Sequence, residues 1–76
     1  MHVSKGENDM INYDPFWKTL SESKESWYTL IHKHEISSST LHRLKHNMYV
    51  TTATIETLCR ILHCSVGDIM EYTPEE

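Results

Sequence analysis

Apolar residues recur three and four positions apart in short runs, and polar punctuation separates the runs. That is the period of short amphipathic helices. Asp14-Pro15 opens the first, an acid N-cap followed by proline at the first helical position. Phe16, Trp17 and Leu20 follow at helical spacing, which predicts a helix from Pro15 to about Ser23 with Trp17 as a core anchor. Ser26 caps a second helix, Trp27 to about His34, with Leu30 and Ile31 facing inward. Ile36 then plugs the gap between two crossing helices. Ser37 or Ser38 caps a third helix that continues to about His46, and Asn47 is a left-handed terminator. Thr51 or Thr52 caps a fourth, whose Ile55, Leu58, Cys59 and Leu62 mark a buried stripe. Ser65, with Asp68 three residues on, fits a capping pattern and opens a short fifth helix carrying Val66, Ile69 and Met70. No strand pattern or repeat is visible. The expectation is an all-α, compact five-helix domain over residues 10–73, with a disordered N-terminal tail at 1–9 and a short tail at 74–76.

Residues 26–46, SWYTLIHKHEISSSTLHRLKH, read as helix, tight turn, helix. Two helices so joined are the basic DNA-reading unit, because the second can lie in the major groove. At about 100° per residue the faces of the third helix separate. Leu41 and Leu44 point inward. Ser39, His42, Arg43 and His46 lie opposite, with Ser38 on their flank. A solvated helix face usually mixes Glu and Lys, whereas this one has hydrogen-bonding groups, a guanidinium and no acid, which suits a polyanion. Ser38, Ser39, His42 and Arg43 are the candidate base readers, and Arg43 can donate two bonds to one guanine edge. Lys45 and His46 are candidate phosphate contacts. So are the backbone N–H groups near Ser26 and Trp27 at the opening of the second helix, and Asn47, Tyr49 and Thr51 in the following loop.

A chain of 76 residues accommodates one small domain. Its net charge of −4 argues at first against a nucleic-acid partner, but the distribution reverses the picture. Residues 1–25 carry three Lys against five acids, and residues 51–76 carry Arg60 against five acids. Residues 26–50 carry Lys33, Arg43 and Lys45 against Glu35 alone, a net +2. Four of the six His also fall there. No apolar run approaches the roughly 20 residues of a membrane span, and no secretory signal is visible. Cys59 and Cys64 are too few for a disulfide scaffold and fit a reducing cytosol. His42 and His46, with His32, His34, His63 and the two cysteines, could be taken for metal ligands, but the cysteine spacing is not that of a zinc site. No cofactor is expected. An enzyme is the weakest reading, since no nucleophile–base pair, phosphate loop or paired acids stands out.

With these residues in view, the chain resembles the small lambda-repressor-like regulators of the Xre/Cro type, over about residues 11–72. SWYTLIHKHEI is similar to the first helix of the family motif and SSSTLHRLKHN to its recognition helix. TTATIETLCRILHCSVGDIM is similar to its fourth and fifth helices, and MINYDPFWKTL with EYTP to a subgroup of very short members. The resemblance implies a five-helix domain that binds double-stranded operator DNA, usually as a homodimer, in the cytoplasm of a prokaryote or a phage-infected cell. It implies that Ser38, Ser39 and Arg43 occupy base-reading positions. This chain departs from the pattern at Glu35, where the family usually has Gly, at Ile31, where many members have Ala, and at Trp27, where many have a phosphate-contacting Gln. The competing reading is a protein-interaction module of the same fold, of antitoxin or anti-repressor type, with weak DNA binding and a protein partner. The fifth helix and the Met70–Tyr72 tail are the expected pairing surface.

Overall fold

The computed structural model describes residues 11–73, so the expected tails at 1–9 and 74–76 lie outside the described residues. The chain runs β1 (Ile11–Asn12), α1 (Asp14–Ser21), α2 (Trp27–His32), α3 (Ser38–Lys45), α4 (Thr52–Leu62), a single 3₁₀ turn at Val66–Asp68, and β2 (Glu71–Tyr72).

Hydroxyl side chains start three of the four helices. Ser26 Oγ accepts the Thr29 N–H at 3.3 Å while Thr29 Oγ1 accepts the Ser26 N–H at 2.8 Å, a reciprocal capping box. Ser37 Oγ accepts the Thr40 N–H at 3.1 Å, and Thr51 Oγ1 accepts the Thr54 N–H at 3.2 Å. Each such cap contributes about 1 kcal/mol. The start of α1 corrects the expectation. Tyr13 holds the cap position and Asp14 is the first helical residue. The Asp14 N–H is bonded instead by Asn12 Oδ1 at 3.0 Å.

The chain leaves α2, α3 and α4 through left-handed residues, and none of these is glycine. Glu35, Asn47 and His63 have φ of 61°, 56° and 55°. The expected terminator Asn47 is thus in place. Beyond it the Met48 N–H returns to the Arg43 carbonyl at 2.8 Å, and beyond His63 the Cys64 N–H returns to the Cys59 carbonyl at 3.1 Å. Both are Schellman closures. α2 ends at His32 rather than His34, because the Lys33 and His34 N–H groups both turn back onto the Thr29 carbonyl.

The core is formed by Phe16 and Leu20 of α1, Leu30 of α2, Leu41 and Leu44 of α3, Ile55, Leu58 and Leu62 of α4, and Tyr13 and Ile69 outside the helices. Ile31 and Ile36 are half-buried against it, Ile36 at the α2–α3 crossing as expected. Trp17 is not a core anchor. It is half-buried at the margin, edge-on to Phe16 and stacked on Trp27 with ring centroids 5.6 Å apart. Cys59 is likewise only half-buried.

Two expectations fail at the C-terminal end. The expected fifth helix is one 3₁₀ turn, with Val66 exposed and only Ile69 fully buried. Its opening is nonetheless capped, since the Asp68 carboxylate accepts from both the N–H and the hydroxyl of Ser65. The chain then extends instead of coiling, and β2 pairs antiparallel with β1, Ile11 opposite Tyr72 and Asn12 opposite Glu71. The Phe16 N–H to Ile69 carbonyl bond at 3.1 Å and the Thr19 hydroxyl to Asp68 carbonyl bond at 2.9 Å fasten α1 to the same turn. The all-α helix-turn-helix architecture stands, with four α-helices and a small terminal clasp among the described residues.

Candidate nucleic-acid interface

Leu41 and Leu44 are fully buried, which fixes the rotation of α3 about its axis. Ser38, Ser39, His42, Arg43, Lys45 and His46 are consequently all exposed. Every base-reading candidate therefore lies on the solvent side of one helix, at the spacing the sequence implied.

The hydroxyls at the N-terminal end differ in their commitments. Ser37 caps the helix, and its Oγ lies 2.9 Å from Thr40 Oγ1 and 3.2 Å from Ser39 Oγ. Ser39 is thus tethered to the cap, while Ser38 is turned outward. His42 and His46, one helical turn apart, bring their rings to 4.3 Å between centroids. No acid lies within α3, and among the described residues the Arg43 guanidinium has no ion-pair partner. It borders a shallow depression of about 380 Å³ with Tyr49, Val50, Thr51 and Thr54, so the loop after α3 continues the surface.

The phosphate-contact candidates divide into two groups. Lys45, His46 and Tyr49 are exposed. Ser26, Asn47 and Thr51 have side chains already engaged in the fold: Ser26 and Thr51 as caps, and Asn47 through Oδ1, which accepts the Tyr13 N–H at 3.1 Å. The Ser26 N–H is also engaged, by Thr29 Oγ1. The N–H groups at the start of α2 that have no intrahelical acceptor are therefore those of Trp27 and Tyr28. Trp27 is partly exposed over Trp17, and the two indoles share a depression of about 410 Å³ with Asp14, Lys45 and Asn47.

Sequence reasoning missed Tyr13, which positions this surface without belonging to it. Its ring is buried, and its Oη donates to the Met48 carbonyl at 2.9 Å. With the Asn47 bond, this ties the loop after α3 to the N-terminal segment. A second missed group lies under the α2–α3 corner. Glu25 accepts a 2.7 Å bond from the Thr29 hydroxyl, which holds its carboxyl below the usual value of 4.5; burial opposes this, and His34 and Lys33 reinforce it. His34 Nε2 sits 3.2 Å from Glu25 Oε1, near enough for an ion pair when protonated, though off a hydrogen-bond axis. The acid and the imidazole bracket the two ends of α2.

A family model for the Cro/C1-type HTH DNA-binding domain matches residues 16–75. The crystal structure of the transcriptional regulator VanUg is similar to this chain, with a TM-score of 0.76 and 30% sequence identity over 87% of this chain and 88% of that one. No curated protein matches the chain. Among the described residues, no helix is long and apolar enough to cross a membrane.

Proposed function

The chain belongs to the Cro/C1-type helix-turn-helix DNA-binding family, and we propose that it is a repressor that reads one operator sequence by laying α3 in the major groove. The observation that carries this reading is the exposed, acid-free face of α3. Ser38 and Ser39 sit at the end that enters the groove first, where hydroxyls can donate or accept. Arg43, one turn further on and without an ion-pair partner, is the specific contact, bidentate to a guanine. His42 reads beside it. Lys45, His46 and Tyr49 hold the flanking phosphates together with the N–H groups of Trp27 and Tyr28, which stand in for the polar side chain common at that place. Occupancy of the operator is itself the block to transcription.

One reading helix covers half a site, so the protein pairs on DNA. The pairing surface is the C-terminal patch of Val66, Met70 and Tyr72, of which Val66 and Tyr72 are well exposed.

Fluorescence titration of labelled duplexes from upstream of the protein's own gene, against scrambled duplexes and at two salt concentrations, tests the reading. The wild type binds the operator selectively and weakens with salt by a slope of a few phosphates per subunit. Arg43→Ala costs about 1–3 kcal/mol on the operator and relaxes choice at one base pair. Equal losses on both duplexes would make Arg43 a phosphate contact. Failure to bind either duplex at low salt would replace the reading with a protein-interaction module, which exposed Glu35 beside the interface favours.

A further inference from the structure

We propose that Cys59 and Cys64 form a dithiol that a small-molecule disulfide, such as oxidised glutathione, converts to an intrachain disulfide across the C-terminal cap of α4. The geometry begins with His63, whose φ of 55° and ψ of 50° turn the chain back on the helix. The N–H groups of His63 and Cys64 both bond to the Cys59 carbonyl. Cys59 is then the fourth residue from the end of the helix and Cys64 the second beyond it, the two positions whose side chains meet in this type of closure. Ordinarily an apolar pair fills them; here both are thiols, and both are free.

Access is the second requirement. Neither cysteine is fully buried, and both line an open, mostly apolar groove of about 700 Å³ between α4 and the segment that follows it. Val50, Ile55, Val66 and Met70 form the rest of its apolar wall. Burial above all, with neighbouring Cys59 and Asp68, pushes the Cys64 thiol up to about 11. Cys64 carries little thiolate at neutral pH, and the step assigned to it is the intramolecular one.

The reaction balances without another reagent. The Cys59 thiol loses its proton to solvent, and its sulfur attacks one sulfur of the reagent. The reagent's S–S bond breaks and one thiolate leaves, which takes up a proton. Cys64, likewise deprotonated, attacks Cys59 Sγ in the mixed disulfide and expels the second thiolate, also protonated on release. The two cysteines are oxidised by two electrons, and the reagent is reduced to two thiols.

The test is mass spectrometry of the acid-quenched full chain after equilibration in glutathione buffers of graded ratio, folded and in urea. The folded wild type loses two hydrogens and remains a monomer without a glutathione adduct, whereas Cys59→Ser and Cys64→Ser each stop at the mixed disulfide. The effective concentration of one thiol for the other is at least about tenfold higher in the folded chain than in urea. By linkage, the disulfide form then melts at a higher temperature than the dithiol. Persistent glutathione adducts on the wild type, intermolecular disulfides, or equal closure in folded and urea-unfolded chains would each overturn the proposal.

Discussion

The corner after α2 and the corner after α3 make the same backbone demand and answer it differently. Each turns through a non-glycine residue in the left-handed region, Glu35 at φ 61° and Asn47 at φ 56°. Asn tolerates that region better than most residues because its short polar side chain can bond locally. Asn47 does so, accepting the Tyr13 N–H, while the Tyr13 hydroxyl holds the next carbonyl. Glu35 has no such offset: its side chain is exposed and forms no hydrogen bond or ion pair among the described residues. Both corners flank α3, and the uncompensated one stands before its N-terminal end. Strain retained without local compensation is a mark of functional surfaces, and here it comes with a negative charge set against a polyanion.

The comparison breaks first at Tyr13. Tyr13→Ala removes a buried ring and the hydroxyl tie to the Met48 carbonyl, while the backbone N–H to Asn47 stays, and unfolding in urea records a loss of about 3–5 kcal/mol at unchanged m. Next comes Asn47→Ala, which leaves the Tyr13 N–H unpaired and replaces a residue that tolerates the left-handed region with one that does not. It costs about 1–3 kcal/mol, and Asn47→Gly restores the backbone part alone. A loss under about 0.5 kcal/mol for Asn47→Ala would show that the two corners are not different after all. The opposite sign belongs to Glu35→Gly. Relief of the left-handed backbone outweighs the added freedom of the unfolded chain, for a gain of about 0.5–1 kcal/mol. The same variant binds DNA more tightly, and most visibly at low salt. The smallest effect is on the acid limb of stability. Glu25 is held below its usual value in the folded state, so its contribution is present above about 4.5 and is lost as pH falls through the folded value. Glu25→Gln flattens that limb and leaves stability near pH 7 independent of pH in this range.

Most of the fold was legible because it is written in local chemistry. The caps Ser26, Ser37 and Thr51, the terminator Asn47 and the inward leucines of α3 each follow from the residue and its neighbours within one turn. The exposed face of α3 was legible for the same reason, since burial of two leucines sets its rotation. What escaped reading depends on partners far along the chain. Tyr13 stands alone between Asn12 and Asp14, with no periodic neighbour to mark it as core, and its partners are 34 and 35 positions away. Two-residue strands carry no alternation to detect. The expected fifth helix had the right residues but too few of them: a segment of one turn has a poor nucleus, and pairing of Glu71 and Tyr72 with β1 competes for its C-terminal end. The functional assignments of Ser26, Asn47 and Thr51 were weakened by the same ambiguity. A polar side chain at a helix end serves a cap as readily as a ligand, and only the structure shows the hydrogen bonds already formed.

The β1–β2 clasp gives the domain a kinetic order. Ile11 and Tyr72 lie at opposite ends of the described chain, so their pairing closes a loop that contains all four helices. Loop closure on that scale is entropically the most demanding contact to form, and two short strands return little for it. The helices and their leucine core therefore assemble first, and the clasp zips last. In the native protein it is correspondingly the first unit to open, so its amides exchange with solvent ahead of those of α4. Opening also loosens the segment that carries Tyr13, and with it both holds on the loop that follows the reading helix.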